Sequence, residues 1–308
     1  MKYPKISLIV PVYNEQDIIE AVLKHMTQEI KYPDYEILLA IDGDDNSIKI
    51  ARQYAKKFKN IKISYSKERR GIFAAENAAM ELSKGSIIVK FDCDARFLEP
   101  DKALYNIAKH YNDPKIGALF FDCQYVPKEE RKRSITVRGE VFVMKLVSNY
   151  MESVGTIKGK WNCFMVVNSV RNNILSKLEV DSIVDDIQFA YAALEKGYEI
   201  KFTPDVKYYK IGNPPNPKEL FKQKRRNYNY WLRVKEKNEN MRMYLFFWVV
   251  FKYFLKNIYK YKITEILPFF YWCMIFSLAI INANLMKIFK GVPKQHIEWY
   301  KIKRIEKK

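Results

Sequence analysis

The 308-residue sequence predicts an α/β protein: a mostly parallel sheet with helices on both faces, followed by C-terminal apolar helices that associate with a membrane. Three observations predict it. Over the first two hundred residues, short runs rich in Ile, Val and Leu alternate with amphipathic stretches, which is the rhythm of βαβ units. The runs are continuously apolar, as strands buried on both faces must be. Beyond Gly212-Asn-Pro-Pro-Asn-Pro217, which cannot continue a helix or a central strand, the chain becomes basic, aromatic and apolar in blocks.

Taken in order, Ile6–Val10, Glu36–Ile41, Ile61–Tyr65, Ser86–Phe91 and Ile116–Phe121 read as buried strands. Between them, Gln16–Glu29, Ser47–Phe58, Ile72–Ser83 and Glu99–Tyr111 read as helices. After Arg131 a long helix (Ile135–Ser153) leads to Gly155 and Gly159, then a strand, Cys163–Val167. A helix over Asp185–Lys196, Gly197, a short strand Glu199–Phe202 and Pro204 complete this part. Three units are expected: a catalytic domain over 1–211, a basic segment over 212–240 and apolar helices with a basic tail over 241–308.

Composition narrows the function classes. Hydrophobic residues at 48% and aromatics at 15% exclude a disordered chain. The four cysteines form no CxxC pair and there are three histidines, so a disulfide scaffold, a zinc site and a histidine-rich metal site are not expected, and a reducing compartment fits. The N-terminus runs straight into a strand, with no signal peptide. The net charge of +19 is unevenly placed: residues 1–100 carry +1, residues 101–210 carry +3, and residues 211–308 carry +15 with no Asp. A near-neutral core counts against a nucleic-acid-binding module, whose basic residues would spread over the fold, and leaves it a remote alternative. The basic end points instead to an anionic surface.

Within that end, Tyr244–Leu255 is short, aromatic and interrupted by Lys252, which suits a helix lying in a membrane interface. Ile266–Met286 has about twenty uncharged residues and is long enough to cross a bilayer. Core helices of a soluble domain, or a hairpin that dips in and out, would produce the same pattern.

In an open parallel sheet the carboxyl ends of the strands face the ligand crevice. The first strand is followed by Pro11-Val-Tyr-Asn-Glu15, the second by Asp42-Gly-Asp-Asp45, the fourth by Asp92-Cys-Asp94. Three strand ends thus bring acidic groups to one edge, where they repel each other unless a cation sits among them. Asp92 and Asp94 suit Mg²⁺ or Mn²⁺ held together with substrate phosphates.

In the order of these motifs the sequence resembles the inverting family 2 glycosyltransferases over about Ile6–Asn227, which implies the Rossmann-like GT-A fold. Ser7-Leu-Ile-Val-Pro-Val-Tyr-Asn-Glu15 is similar to the family's opening strand and donor loop, so the resemblance implies donor contacts at Pro11, Tyr13 and Glu15. Glu36-Ile-Leu-Leu-Ala-Ile-Asp42-Gly43 resembles the second strand, whose terminal Asp, here Asp42, holds the nucleobase; the usual Asp-Asp-Gly has one Asp fewer. Arg70-Gly71 through Ala75-Glu-Asn77 resembles the stretch along the diphosphate. Gly85-Ser-Ile-Ile-Val-Lys-Phe-Asp92-Cys93-Asp94 matches the strand ending in the metal-binding DxD motif. Val184-Asp185-Asp186 resembles the Glu-Asp motif, with Asp185 in place of Glu and Asp186 as the implied general base. Gln223-Lys-Arg-Arg226 resembles the Gln-x-x-Arg-Trp of membrane synthases, with Asn227 where Trp is expected and Trp231 four residues on.

The resemblance implies one in-line displacement at the anomeric carbon, with a nucleotide-sugar (UDP or GDP) donor and a lipid-linked or glycan acceptor. The metal and Arg70 would neutralise the leaving diphosphate while Asp186 takes the acceptor proton. The expected location is the cytoplasmic face of a membrane. A sugar-phosphate nucleotidyltransferase also alternates strands and helices around acidic metal sites, but it carries a Gly-rich phosphate loop near its N-terminus, and Pro11–Glu15 contains no Gly.

Overall fold

A computed structural model describes residues 3–123, 134–159, 167–179, 185–211, 214–237 and 243–290. The strand Cys163–Val167, expected from sequence, lies mostly outside these residues, as do Gly212, Asn213 and the tail Lys294–Lys308.

The expected parallel core is present. Strands β1 (Ile6–Tyr13), β2 (Tyr35–Asp42) and β3 (Ile61–Ser66) pair in parallel, and β4 (Ile87–Lys90) joins β1 on its other side. Beyond β4 come β5 (Ala95–Phe97), β6 (Ile116–Asp122), β7 (Thr156–Ile157), β8 (Ser169–Arg171) and β9 (Glu199–Lys210). Among the described residues the sheet runs in the order β3-β2-β1-β4-β8-β6-β9-β5, with β7 also on β9. The long ladders are parallel; the antiparallel pairs made by β5, β7 and β8 are only two or three residues long.

Helices cover both faces. Ile6, Leu8 and Val10 point into one apolar cluster with α1 (Ile19–Lys24), α2 (Ser47–Lys57) and α4 (Pro100–His110). Ile9, Leu38 and Ile88 point into the other, with α3 (Ile72–Met80), α5 (Ile135–Val154) and α6 (Asp185–Glu195). Local chemistry fixes the ends: Pro100 opens α4, with Asp101 in its first turn and Lys109 and His110 in its last. Ser134 caps α5 by accepting from the Thr136 amide at 3.1 Å.

Two expectations change. The helix expected over Gln16–Glu29 is shortened to α1, followed by a π-turn at His25–Glu29. Here Thr27 Oγ1 donates back to the Leu23 carbonyl at 2.7 Å, and the buried His25 ring is held between Glu29 and the Phe97 amide. The strand expected to stop at Phe202 runs on through Pro204 to Lys210. The ladder with β6 slips between Phe121 and Asp122, and that irregularity admits a proline lacking its N–H.

The C-terminal segment forms α7 (Pro217–Lys237), α8 (Met243–Lys256) and α9 (Ile263–Lys290). A third apolar cluster joins these to α5 through Phe142, Leu146, Leu220, Phe254, Phe269 and Trp272. Polar contacts lock the same joint. Pro268 inside α9 cannot donate to the Thr264 carbonyl, and the Arg138 guanidinium donates to it instead. Buried Glu140 accepts from Lys224 Nζ at 2.7 Å and from Trp272 Nε1 at 2.5 Å, tying α5 to α7 and α9. The outer side of α9 carries an exposed apolar stripe of Leu267, Phe270, Met274, Leu278, Ile281 and Leu285. This helix is long and apolar enough to cross a membrane.

Candidate active site

The parallel register sets the site. Tyr13 at the end of β1 lies opposite Asp42 at the end of β2, and β4 delivers its acidic turn on the other side of β1. The loop after β1 is braced from below: Asp45 accepts from the Gln16 amide at 3.0 Å and the Ser47 amide at 2.9 Å, and Ser47 Oγ accepts from the Glu15 amide at 3.1 Å. Gly43 adopts φ +110°, and a Cβ there would strike the Asn14 side chain. Pro11, Tyr13 and Glu15 are half-buried along this loop. The Arg69 guanidinium stacks on the Tyr13 ring, 4.4 Å from its centre.

Asp42 is buried and accepts from the Arg70 amide at 2.7 Å and from Arg70 Nε at 2.8 Å. Arg70 therefore acts on the strand-end carboxylate. Gly71, at φ +88°, opens α3 and leaves the helix's first N–H groups available to an anion. Asn77, from the stretch the sequence reading set along the diphosphate, is turned inward. It donates to the Leu178 carbonyl at 2.9 Å and accepts from the Leu178 amide at 2.7 Å, pinning the segment that leads toward α6.

The acidic strand ends are compensated in different ways. Asp42 is neutralised by Arg70, and Asp45 is spent on backbone amides. At the turn after β4 the Lys210 ammonium from β9 is paired with Asp92, with Asp94 beside it. Desolvation works against the Lys210 charge, but Asp92 and Asp94 hold its pKa well above the ordinary lysine value. Cys93 between them is turned into the apolar core, so its backbone alone faces the crevice. Buried Arg96 donates to the Cys93 carbonyl at 3.2 Å and fixes the turn.

Among the described residues, no group of three or more His, Cys, Asp or Glu side chains surrounds this turn. Two carboxylates that already attract an ammonium fit a hard divalent cation whose other ligands are phosphate and water oxygens.

Asp186 stands in the first turn of α6. It is bonded to Lys90, the last residue of β4 and two residues before Asp92. Gln223 and Arg226 lie half-buried near the start of α7, which packs chiefly on α9. The sequence reading overlooked Lys90, Lys210, Arg69 and Arg96. A lysine closing a run as apolar as Ile87-Ile-Val-Lys90 was the available signal, since a charge at a buried strand must be paired.

A family model described as Glycosyl transferase family 2 matches residues 7–171. Among curated relatives, a glycosyltransferase, AglE, of Haloferax volcanii is 37% identical over 94 residues, covering 30% of this chain and 31% of its own length. The probable glycosyltransferase YdaM of Bacillus subtilis is 22% identical over 302 residues, covering 91% of this chain and 65% of its own. The chain thus spans less than two thirds of the length of these relatives. Among solved structures, the mannosyltransferase PcManGT from Pyrobaculum calidifontis, in complex with GDP-Man and Mn²⁺, superposes with a TM-score of 0.64 at 18% identity. It covers 94% of this chain and 88% of its own.

Proposed function

This chain belongs to glycosyl transferase family 2, and on that premise we propose that it moves a sugar from a UDP- or GDP-sugar to a lipid-linked or membrane-proximal glycan acceptor at the cytoplasmic face of a membrane. One observation carries the reading. The strand that ends in Asp92-Cys-Asp94 also carries Lys90, which bonds Asp186, so donor-side carboxylates and candidate base converge on one sheet edge.

In this reading Tyr13, Arg69 and Asp42 flank the nucleobase, with Pro11 and Glu15 shaping the loop. Arg70 and Gly71 lie along the diphosphate path. Asp92 and Asp94 would hold a divalent cation, Mg²⁺ or Mn²⁺, which would supply electrostatic stabilisation of the departing diphosphate. Asp186 accepts the acceptor hydroxyl's proton as that oxygen attacks the anomeric carbon in line, which inverts the linkage. Gln223 and Arg226 sit on the acceptor side. The GDP-Man and Mn²⁺ bound to PcManGT support the nucleotide-sugar and metal parts of this reading.

The division into a catalytic unit (1–211), a basic segment (212–240) and membrane-associated helices (241–308) follows the same logic. Support for the last comes from the exposed stripe of α9 and from Lys252, Lys256, Lys260 and Lys262 beside it, within a region carrying +15. Apolar contact plus lysines suits an anionic leaflet.

The test is a hydrolysis screen of UDP- and GDP-sugars with Mg²⁺ or Mn²⁺ on wild type, Asp94→Ala and Asp186→Ala. A donor turned over by wild type, with each substitution lowering the rate at least 100-fold, supports the assignment. Turnover indifferent to metal and to both aspartates refutes it. Membrane retention that survives 1 M salt supports apolar docking, and complete release by salt refutes it.

A further inference from the structure

Lys90 joins two acidic side chains from different elements. Its ammonium bonds Asp186 Oδ1 at the start of α6 and lies 3.8 Å from Glu76 Oε1 on α3, and it sits 5.7 Å from the centre of the Phe189 ring, one turn along α6. Lys90 and Glu76 are nearly inaccessible, with 10% and 3% of their side chains exposed, whereas Asp186 retains 27%. Asp186 is therefore the most accessible member of this cluster.

We infer that Lys90 is the positioning residue for the proposed base: it aims the Asp186 carboxylate and keeps it ionised, while Glu76 holds the ammonium from behind. The inference rests on the reading of Asp186 given above. Its physics is independent of that reading. A lysine of this burial persists only where carboxylates compensate it. Removing it takes from two neighbouring carboxylates the counter-ion they share and from Asp186 the bond that aims it. The backbone reinforces the geometry. The Lys90 amide donates to the Asn168 carbonyl at 2.8 Å, so the lysine is anchored to the sheet and has only its side chain to move. A base aimed by a fixed partner needs no reorganisation when the acceptor arrives. Placing this lysine on the strand that leads into Asp92-Cys-Asp94 ties base and donor site to one rigid element.

A double-mutant cycle separates this role from a merely structural one. The probe is hydrolysis of whichever UDP- or GDP-sugar the wild-type protein turns over with Mn²⁺, with binding of the matching nucleoside diphosphate measured alongside. Lys90→Met is expected to lower kcat at least 100-fold while nucleotide affinity changes less than threefold. Lys90→Arg, which keeps charge and fold, is expected to retain at least a tenth of the wild-type rate. In an Asp186→Asn background, Lys90→Met is expected to lower the residual rate less than threefold. Equal losses in both backgrounds overturn the inference, as does a 100-fold loss in Lys90→Arg at unchanged melting temperature. A different result, Asp186→Asn retaining full activity, overturns the assignment of the base itself.

Discussion

Replacing Gly139 with Ala tests how the C-terminal helices are joined to the catalytic unit. Gly139 sits inside α5, and a Cβ there would lie 2.5 Å from the Pro268 carbonyl oxygen and 2.8 Å from Trp272 Cβ on α9. The first contact falls about 1 Å short of the ~3.5 Å at which non-bonded atoms pack. The obstacle is backbone, so no rotamer change relieves it and α9 must move away from α5. That movement stretches the Glu140–Trp272 bond and loosens the cluster of Phe142, Phe269 and Trp272. Overpacking costs about 1–3 kcal/mol, and weakening a buried charged hydrogen bond costs roughly 1–3 kcal/mol more. Against this, Ala favours a helix interior over Gly by about 1 kcal/mol. The net expectation is a loss of about 3 kcal/mol, a fall in melting temperature of roughly 6–12 °C. Differential scanning calorimetry measures it. Limited proteolysis should show faster cleavage between α7 and α9. A melting temperature unchanged or raised, which helix propensity alone demands, would refute the close α5–α9 joint.

Further outcomes follow from the same geometry. Arg70→Ala takes one of two partners from buried Asp42 and should cost about 3 kcal/mol, the low end for breaking a buried pair because Arg70 is partly exposed; chemical denaturation reads it, together with weakened nucleotide binding. Lys210→Met removes the ammonium from Asp92 and should tighten nucleotide-free Mn²⁺ binding up to about fivefold, the worth of a half-exposed ion pair, as titration calorimetry would show. Acid stability has two steps. Burial lowers the His25 pKa, with Glu29 opposing and Arg96 assisting, so the stability it contributes is present above about 6.5 and fades as pH falls toward its folded value. Burial would raise the Glu36 pKa, but Lys62, the Lys84 amide and Ser7 together lower it, so its contribution is present above about 4.3 and fades below. Melting temperature should fall in both windows, and His25→Gln should flatten the first alone.

How far the sequence revealed this molecule varies with distance along the chain. The strands β1, β2, β3, β4 and β6 were readable because each is a continuous apolar run, and their helices because each repeats every three to four residues. The loops at Pro11–Glu15, Asp42–Asp45 and Asp92–Asp94 were readable because a strand's carboxyl end is a local feature. What stayed hidden depends on pairing across the fold. Asp45 was visible only as one of the acids after the second strand and is a cap for two amides, one 29 residues away. Asn77 closes the stretch that the resemblance sets along the diphosphate and holds Leu178, 101 residues on. The Pro204 stop was overridden by a slip in the β6 ladder. Lys90 was read as part of a strand: its charge at the end of an apolar run signals a buried partner, but that partner, Asp186, lies 96 residues on. The C-terminal helices were legible as apolar, but their docking through Arg138, Gly139 and Glu140 needs a helix more than a hundred residues upstream.

The central claim is a nucleoside-diphosphate site at the ends of β1, β2 and β4 that works with a divalent cation. Titration of the full chain with UDP and with GDP, each with Mn²⁺ and with EDTA, tests it without knowledge of the acceptor. One of the two nucleotides is predicted to bind at least tenfold more tightly with Mn²⁺ than with EDTA, and Asp94→Asn is predicted to erase that difference. Binding of neither nucleotide, or a metal effect untouched by Asp94→Asn, would contradict the account.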